Sequence, residues 1–114
     1  MTVTLRTAAV AFLLTASPAV GLAVTVADIV SAPESYAGQQ VTVIGTVTEQ
    51  SIGYRGETVY TIGADDRRIT VFGYGAAPAA GERLEVSAKV GWKAPDEEFT
   101  WPPVLVESTR HPAP

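Results

Sequence analysis

The 114-residue sequence contains no cysteine, which excludes a disulfide framework, a thiolate metal site, a cysteine nucleophile and a lipid-modified cysteine. Asparagine is also missing, so the chain has no N-glycosylation acceptor and no Asn-Gly hairpin turn. Its turns must therefore be built from glycine, proline and aspartate.

Positive charge is scarce as well. Eight Lys and Arg residues stand against 12 Asp and Glu residues, which gives a formal net charge of −4. A general nucleic-acid-binding protein would carry a basic field for phosphate, and this chain does not. The length is enough for one small domain and too short for two.

The N-terminal segment has the organisation of a secretory signal peptide. Arg6 precedes the apolar run Ala8–Ala16, Pro18 breaks that run, and Gly21-Leu22-Ala23 forms a small-x-small cleavage motif. We therefore expect residues 1–23 to be removed after Ala23, leaving a periplasmic or secreted protein with no stable membrane insertion. The alternative is an uncleaved anchor over Thr7–Ala27, which the proline and modest hydrophobicity disfavour.

The next segment predicts one short helix. Thr25 is a suitable N-cap, and Val26, Ile29 and Val30 form an apolar stripe at helical spacing. Pro33 ends this helix or starts a second turn that runs through Tyr36, whose side chain we expect to pack inward.

From Val41 the pattern changes to the alternation of β-strands. Gly45 interrupts the first strand and predicts a bulge or bend. Asp65-Asp66-Arg67 predicts a tight turn between the second and third strands, without the usual glycine. The predicted strands are Val41–Thr48, Thr58–Ala64, Arg68–Phe72, Arg83–Val90 and Val104–Val106.

Five strands, one of them bent at a glycine, predict an all-β fold: a five-stranded OB-like antiparallel barrel over residues 24–108, with a short N-terminal helix and a flexible C-terminal tail over residues 109–114. The run from Ile29 through Pro33-Glu34-Ser35-Tyr36-Ala37-Gly38 to Val47 resembles the opening of small OB-fold domains in exported bacterial proteins. The segment Pro78–Val86 resembles their entry into strand four. These motifs consist of structural glycines, a proline and strand valines, so the resemblance implies a fold more than a ligand.

Two departures from related patterns matter. Many such domains have an Asp-x-x-Gly turn where this chain has Asp65-Asp66-Arg67-Arg68, so we expect a different hairpin geometry. The layout is also similar to the exported haem-carrying OB proteins of cytochrome c maturation, in which a tyrosine follows the haem-attaching histidine. Here only Pro112-Ala113-Pro114 follows His111, so we expect no haem and no other cofactor.

The sequence does not predict an enzyme or a metal site. His111 falls in the predicted tail, where nothing would orient it as a base. The acidic clusters Asp65-Asp66 and Asp96-Glu97-Glu98 are typical of solvated loops. No calcium-loop pattern or phosphate-binding glycine loop is present.

Aromatic and cationic side chains do interleave on the surface that OB-folds use for ligands. From the strand pattern we expect Tyr60 and Trp92 to pack into the core and Phe72 to be exposed. Tyr54, Phe72, Tyr74 and Trp101 should form one exposed patch with Arg55 or Arg67 at its rim. The full set of predicted ligand-binding residues is Tyr54, Arg55, Arg67, Arg68, Phe72, Tyr74, Trp92, Lys93 and Trp101.

The sequence thus predicts a non-catalytic exported module that binds a protein, peptide, saccharide or small ligand. The alternative is a single-stranded nucleic-acid-binding OB-fold protein, in which aromatic rings stack on bases. The net negative charge and an extracytoplasmic location argue against that alternative.

Overall fold

A computed structural model describes residues 21–53, 56–95 and 101–114. Two short helices lie near the N-terminus of this range, and the remaining elements are strands. In chain order the elements are β1 (Leu22–Ala23), α1 (Val26–Ser31), α2 (Pro33–Tyr36), β2 (Gln40–Ile52), β3 (Thr58–Ala64), β4 (Arg67–Gly73), β5 (Arg83–Gly91) and β6 (Val104–Pro112).

The predicted helix is confirmed, and its start is a capping box. The Thr25 side chain accepts a hydrogen bond from the Asp28 N–H, and the Asp28 carboxylate accepts one from the Thr25 N–H, each at 3.0 Å. This exchange satisfies backbone donors that have no partner inside the helix. Val26 and Ile29 on the apolar stripe are fully buried, and Tyr36 packs against the core as expected.

Strand β2 serves two sides of the barrel. Its first half, Gln40–Thr46, pairs with β5, and its second half, Thr46–Ile52, pairs with β3. The change of partner occurs beside Gly45, where an added Cβ would lie 3.1 Å from the side chain of Ile62. The glycine therefore permits the close approach at which the strand turns from one sheet direction to the other. The register shift in the pairing of β2 with β3 lies further along the strand, between Val47 and Glu49.

Strands β3 and β4 form the predicted hairpin. Ala64 pairs with Arg67 across a two-residue turn in which Asp65 and Asp66 have φ values of 51° and 75°. Positive φ at both central positions defines a type I′ turn, whose twist matches that of the flanking strands. Aspartate occupies these positions here, although glycine or asparagine is the usual choice.

The sheet closes into the predicted OB-fold barrel. The strand order is β2-β3-β4-β6-β5, and β5 returns to pair with β2. One pairing differs from the all-antiparallel expectation, because β4 and β6 run parallel over three residue pairs, from Thr70↔Val104 to Phe72↔Val106. The long connections on either side of β5 allow that direction. Inside the barrel lies a core of mainly valine, isoleucine and leucine side chains, with Tyr60 among them.

Residues 109–114 do not form the flexible tail that the sequence predicts. Strand β6 continues to Pro112, which pairs with Leu84, and the Ala113 N–H donates to the Arg83 carbonyl at 3.0 Å. The segment is polar and lacks the apolar alternation of a strand, but its backbone completes the ladder along β5. Within the described ranges, neither helix is long and apolar enough to cross a bilayer. The predicted signal segment lies outside the described residues except for residues 21–23.

Candidate functional site

A row of apolar side chains crosses the outer surface of the barrel. Val59 on β3 pairs with Phe72 on β4, which pairs with Val106 on β6. Side chains at paired positions project from the same face of a sheet, and inward residues such as Tyr60 and Val71 alternate with this row. Phe72 is 37% exposed and Val106 is 43% exposed, which confirms the surface position that strand parity predicted for Phe72.

A shallow groove runs beside this row. It has a volume of about 480 Å³ and is lined by Gly56, Glu57, Phe72, Gly73, Tyr74 and Val106. The β2–β3 connection forms one wall, and the end of β4 forms the floor. Tyr74 is 68% exposed at the rim. The groove, called the Phe72 groove below, lies where OB-folds hold their ligands.

The structure brings only part of the predicted patch together. Phe72 and Tyr74 share the Phe72 groove, whereas Trp101 is exposed but does not line it. Arg67 and Arg68 lie at the far end of β4, about 13 to 16 Å along the strand from Phe72. There they line a separate groove of about 300 Å³ together with Asp65 and Asp66. Of the two predicted rim residues, Arg67 does not border the aromatic patch, because it begins β4 and Phe72 lies near the other end of that strand. The other, Arg55, lies outside the described residues.

The other predicted residues that the structure describes do not line this groove. Tyr54 and Arg55 lie outside the described residues. Lys93 is exposed in the segment after β5. Trp92 is only half-buried and is not among the residues packed into the core, so the expectation of core packing is wrong. The alternation of β5 does not reach Trp92, because the strand ends one residue earlier, at Gly91.

A buried polar cluster, which sequence reasoning missed, supports the groove from inside. The Tyr60 hydroxyl donates to Glu107 Oε1 at 2.5 Å, and Arg110 Nη1 donates to the same oxygen at 3.2 Å. The guanidinium also lies 5.5 Å from the centroid of the Tyr60 ring. Glu107 is 6% exposed. A buried carboxylate needs such partners, because an unpaired charge in a core is strongly destabilising.

This cluster fixes the backbone that carries Tyr74. Arg110 donates to the Tyr74 carbonyl at 3.2 Å and to the Ala76 carbonyl. At Gly73 an added Cβ would stand 2.6 Å from Glu107 Oε1, so glycine leaves room for the carboxylate. Burial, and then the hydrogen bond to Glu107, raise the pKa of Tyr60 well above its ordinary value. The phenol therefore stays protonated and keeps donating at neutral pH.

A bulge in β6 explains why the cluster could not be read from the sequence. Ala88 pairs with Glu107 but Ser87 pairs with Thr109, so Ser108 is an extra residue in β6. In a regular strand Glu107 and Arg110 would project to opposite faces. The extra residue reverses the alternation and turns both side chains to the same side.

The structure gives His111 a partner, contrary to the expectation that nothing orients it. Its Nε2 lies 3.0 Å from Glu85 Oε1 on β5. The imidazole is 58% exposed, so the pair lies in solvent on the barrel surface. Among the described residues, no group of three or more His, Cys, Asp or Glu side chains is arranged to hold a metal ion.

Solved structures similar to this chain share its fold. An aspartyl-tRNA synthetase from Entamoeba histolytica matches with a TM-score of 0.61 at 10% identity, over 82% of this chain and 22% of that one. A putative aspartyl-tRNA synthetase from Leishmania major Friedlin matches with a TM-score of 0.60 at 11% identity, over 94% of this chain and 26% of that one. The Stn1-Ten1 complex of S. pombe matches with a TM-score of 0.51 at 14% identity, over 65% of this chain and 57% of that one.

The chain therefore spans about a quarter of the two synthetase chains, and these likenesses concern the fold alone. No family model matches the sequence, and no curated protein is significantly similar to it. The barrel topology and these likenesses agree on an OB-fold, as the sequence predicted.

Proposed function

We propose that the chain is an exported, non-catalytic OB-fold module that binds a protein, peptide, saccharide or small ligand in the Phe72 groove. The observation that carries this proposal is the apolar row Val59–Phe72–Val106 beside Tyr74, in which Phe72 and Val106 are exposed and Val59 is half-buried. Exposed apolar side chains that cluster on one part of a surface mark an interaction site. The row also lies on the surface that the fold typically uses for recognition.

Internal bonding supports a binding role over catalysis. Tyr60, Glu107 and Arg110 satisfy one another inside the barrel, so they hold structure and offer no free reactive group to a ligand. His111 bonds to the carboxylate of Glu85 on the solvent-exposed surface. Among the described residues, no serine or threonine hydroxyl hydrogen-bonds to this imidazole, as the nucleophile of a hydrolytic site would.

Single-stranded nucleic acid is the second candidate ligand. Exposed Phe72 and Tyr74 rings could stack on bases, and two of the similar structures are tRNA synthetases. The net charge of −4 weakens attraction to phosphate. Lys89 on β5 is a cation beside the row, because it pairs with Val106 on β6.

The test compares two exposed side chains, one inside the Phe72 groove and one outside it. Phe72→Ala should abolish binding, whereas Thr48→Ala, which removes an exposed side chain on the second half of β2, should leave it unchanged. The probes are an extended apolar peptide, a linear oligosaccharide and a single-stranded oligonucleotide. Binding of each probe is measured by the changes in the NMR chemical shifts of Phe72 and Val106. Absence of shifts with every probe, or equal loss in both variants, would overturn the proposal. Affinity for the oligonucleotide alone, falling steeply with salt, would favour the alternative.

The export component has its own test. Because cleavage is predicted after Ala23, protein recovered from the cell envelope or medium should begin at Val24. N-terminal sequencing checks this directly. A chain that begins at Met1 in the membrane fraction would instead support the uncleaved anchor.

A further inference from the structure

The outer edge of β2 is occupied by the chain's own N-terminal residues. Over Gln40–Thr46 one edge of β2 pairs with β5, and β3 joins the opposite edge only from Thr46 onward. The first part of that opposite edge pairs in parallel with β1, through Leu22↔Val41 and Ala23↔Thr42. The Val24 N–H also donates to the Thr42 carbonyl at 3.1 Å. This edge therefore accepts an added strand.

Gly21 gives this pairing a sequence requirement. A Cβ at this position would lie 2.3 Å from the carbonyl oxygen of Gln40 and 2.5 Å from the N of Val41. Both are backbone atoms of the strand and cannot rotate away. The Gly21 N–H instead donates to the Thr42 hydroxyl at 3.3 Å. A strand on this edge thus needs glycine opposite Gln40, and even alanine is too large.

The chain's own strand leaves part of the edge uncovered. It turns away at Thr25, the N-cap of α1, so on this side Val43–Gly45 has no partner in the ladder among the described residues. Ile44 is 36% exposed there. It lines a groove of about 350 Å³ with Ala23, Val24, Thr42 and Ala64 among its other walls. A separate peptide, free of the turn into α1, would continue along the edge and cover Ile44.

We propose that this edge of β2 is a docking site for an extended peptide that runs parallel to β2, with glycine opposite Gln40 and small or apolar residues after it. Backbone hydrogen bonds supply the affinity, and the glycine supplies the selectivity. In the uncleaved chain Gly21–Val24 fills the site. Removal of residues 1–23, which is part of the proposed function above, frees the part of the edge that Gly21–Ala23 covers and leaves Val24 as a free N-terminus that a partner can displace.

The experiment uses the full 114-residue chain with Gly21→Ala, which displaces its own strand. Hydrogen exchange at the Thr42 amide should accelerate by about tenfold. A nine-residue peptide with the sequence of Pro18–Val26 should bind and restore slow exchange, whereas the same peptide with alanine at the glycine should not. Leu22→Ala is the matched control, because the Leu22 side chain is 58% exposed and its loss leaves the backbone pairing intact.

Slow exchange at Val86 in the core confirms that the variant is folded. If Gly21→Ala does not fold, Val24→Pro removes the donor to Thr42 and takes its place in the same assay. Failure of the wild-type peptide to bind, or equal binding by both peptides, would overturn the docking site. Phe72→Ala should leave the protection of the Thr42 amide by the peptide unchanged, so failure at the β2 edge is distinguishable from failure of the Phe72 groove.

Discussion

Tyr60 combines full burial with a hydrogen bond to a carboxylate. Its side chain is 1% exposed, and its hydroxyl reaches Glu107 at 2.5 Å. Arg110 is the other described partner of that carboxylate. Loss of the hydroxyl would leave the buried Glu107 carboxylate with Arg110 but without the Tyr60 donor. The Tyr60–Glu107 hydrogen bond should therefore contribute more to stability than an ordinary surface hydrogen bond.

Tyr60→Phe should lower the free energy of unfolding by about 1–3 kcal/mol at neutral pH, because the buried acceptor Glu107 loses its donor. The stability of the variant should also fall less than that of the wild type as the pH rises above about 10. The folded pKa of Tyr60 is raised above 10.0, so its contribution is fully present below about pH 10 and declines as the unfolded chain ionises above it.

Denaturant unfolding of both proteins between about pH 9 and 11 checks this prediction. The wild-type stability should fall more steeply, by up to about 1.4 kcal/mol per pH unit from this group. Parallel pH profiles for the two proteins would contradict the prediction.

At this scale the sequence predicted some positions and could not predict others. Strand alternation placed Tyr60 inside and Phe72 outside, because both lie within regular ladders of β3 and β4. It failed for Trp92, which lies beyond the end of β5. It also could not bring Glu107 and Arg110 together, because their contact depends on the extra residue in β6.

The β3–β4 hairpin shows how a local sequence defines an element. Ala64 and Arg67 pair across two aspartates with positive φ. Aspartate tolerates this backbone region better than most residues, but it retains a Cβ penalty that glycine avoids. The turn was therefore predictable from its polarity and spacing, whereas its precise geometry was not.

Asp66→Gly should stabilise the protein by a few tenths to about 1 kcal/mol, because φ at this position is 75° and glycine adopts it without strain. Asp66→Ala is the matched control and should be destabilising, since alanine keeps the Cβ and loses the polar side chain. Thermal unfolding of the three proteins gives the order. If the Asp66→Ala protein were as stable as the Asp66→Gly protein, the positive φ at position 66 would not be a source of strain.

The C-terminal half of β6 could not be predicted from the hydrophobic pattern of the sequence. After Val106 it contains Glu107, Ser108, Thr109, Arg110 and His111, with no apolar residue among them. Such a run resembles a tail, yet it pairs with β5 through Pro112. Backbone hydrogen bonds and the buried Glu107–Arg110 contact hold it in place, and neither leaves a periodic apolar signal.

At the scale of the whole molecule, β6 is the strand that closes the barrel. It joins β4 through a parallel pairing of only three residue pairs and β5 through a much longer antiparallel one. The valine-rich core lies between these strands and β2. Because the chain has no disulfide, closure depends on the ladders and the core alone. The C-terminal half of β6 is therefore part of the fold.

A truncation series tests this role of β6. A chain ending at Pro112 loses the Ala113 N–H bond to Arg83 and the Arg83 bond to the Pro114 carbonyl, and should lose no more than about 1 kcal/mol of stability. A chain ending at Ser108 also loses Arg110 and leaves the buried Glu107 carboxylate without its ion-pair partner. The free energy of unfolding should then fall by at least about 3–5 kcal/mol.

That cost is comparable to the whole stability of a small domain, about 5–15 kcal/mol, so the chain ending at Ser108 should be largely unfolded by circular dichroism. A chain ending at Arg110 keeps the ion pair and should recover much of the loss. This intermediate separates the contribution of the buried pair from that of the remaining ladder. If the chain ending at Ser108 unfolded at the same temperature as the full chain, residues 109–114 would be a tail, and closure would depend on β6 only as far as Ser108.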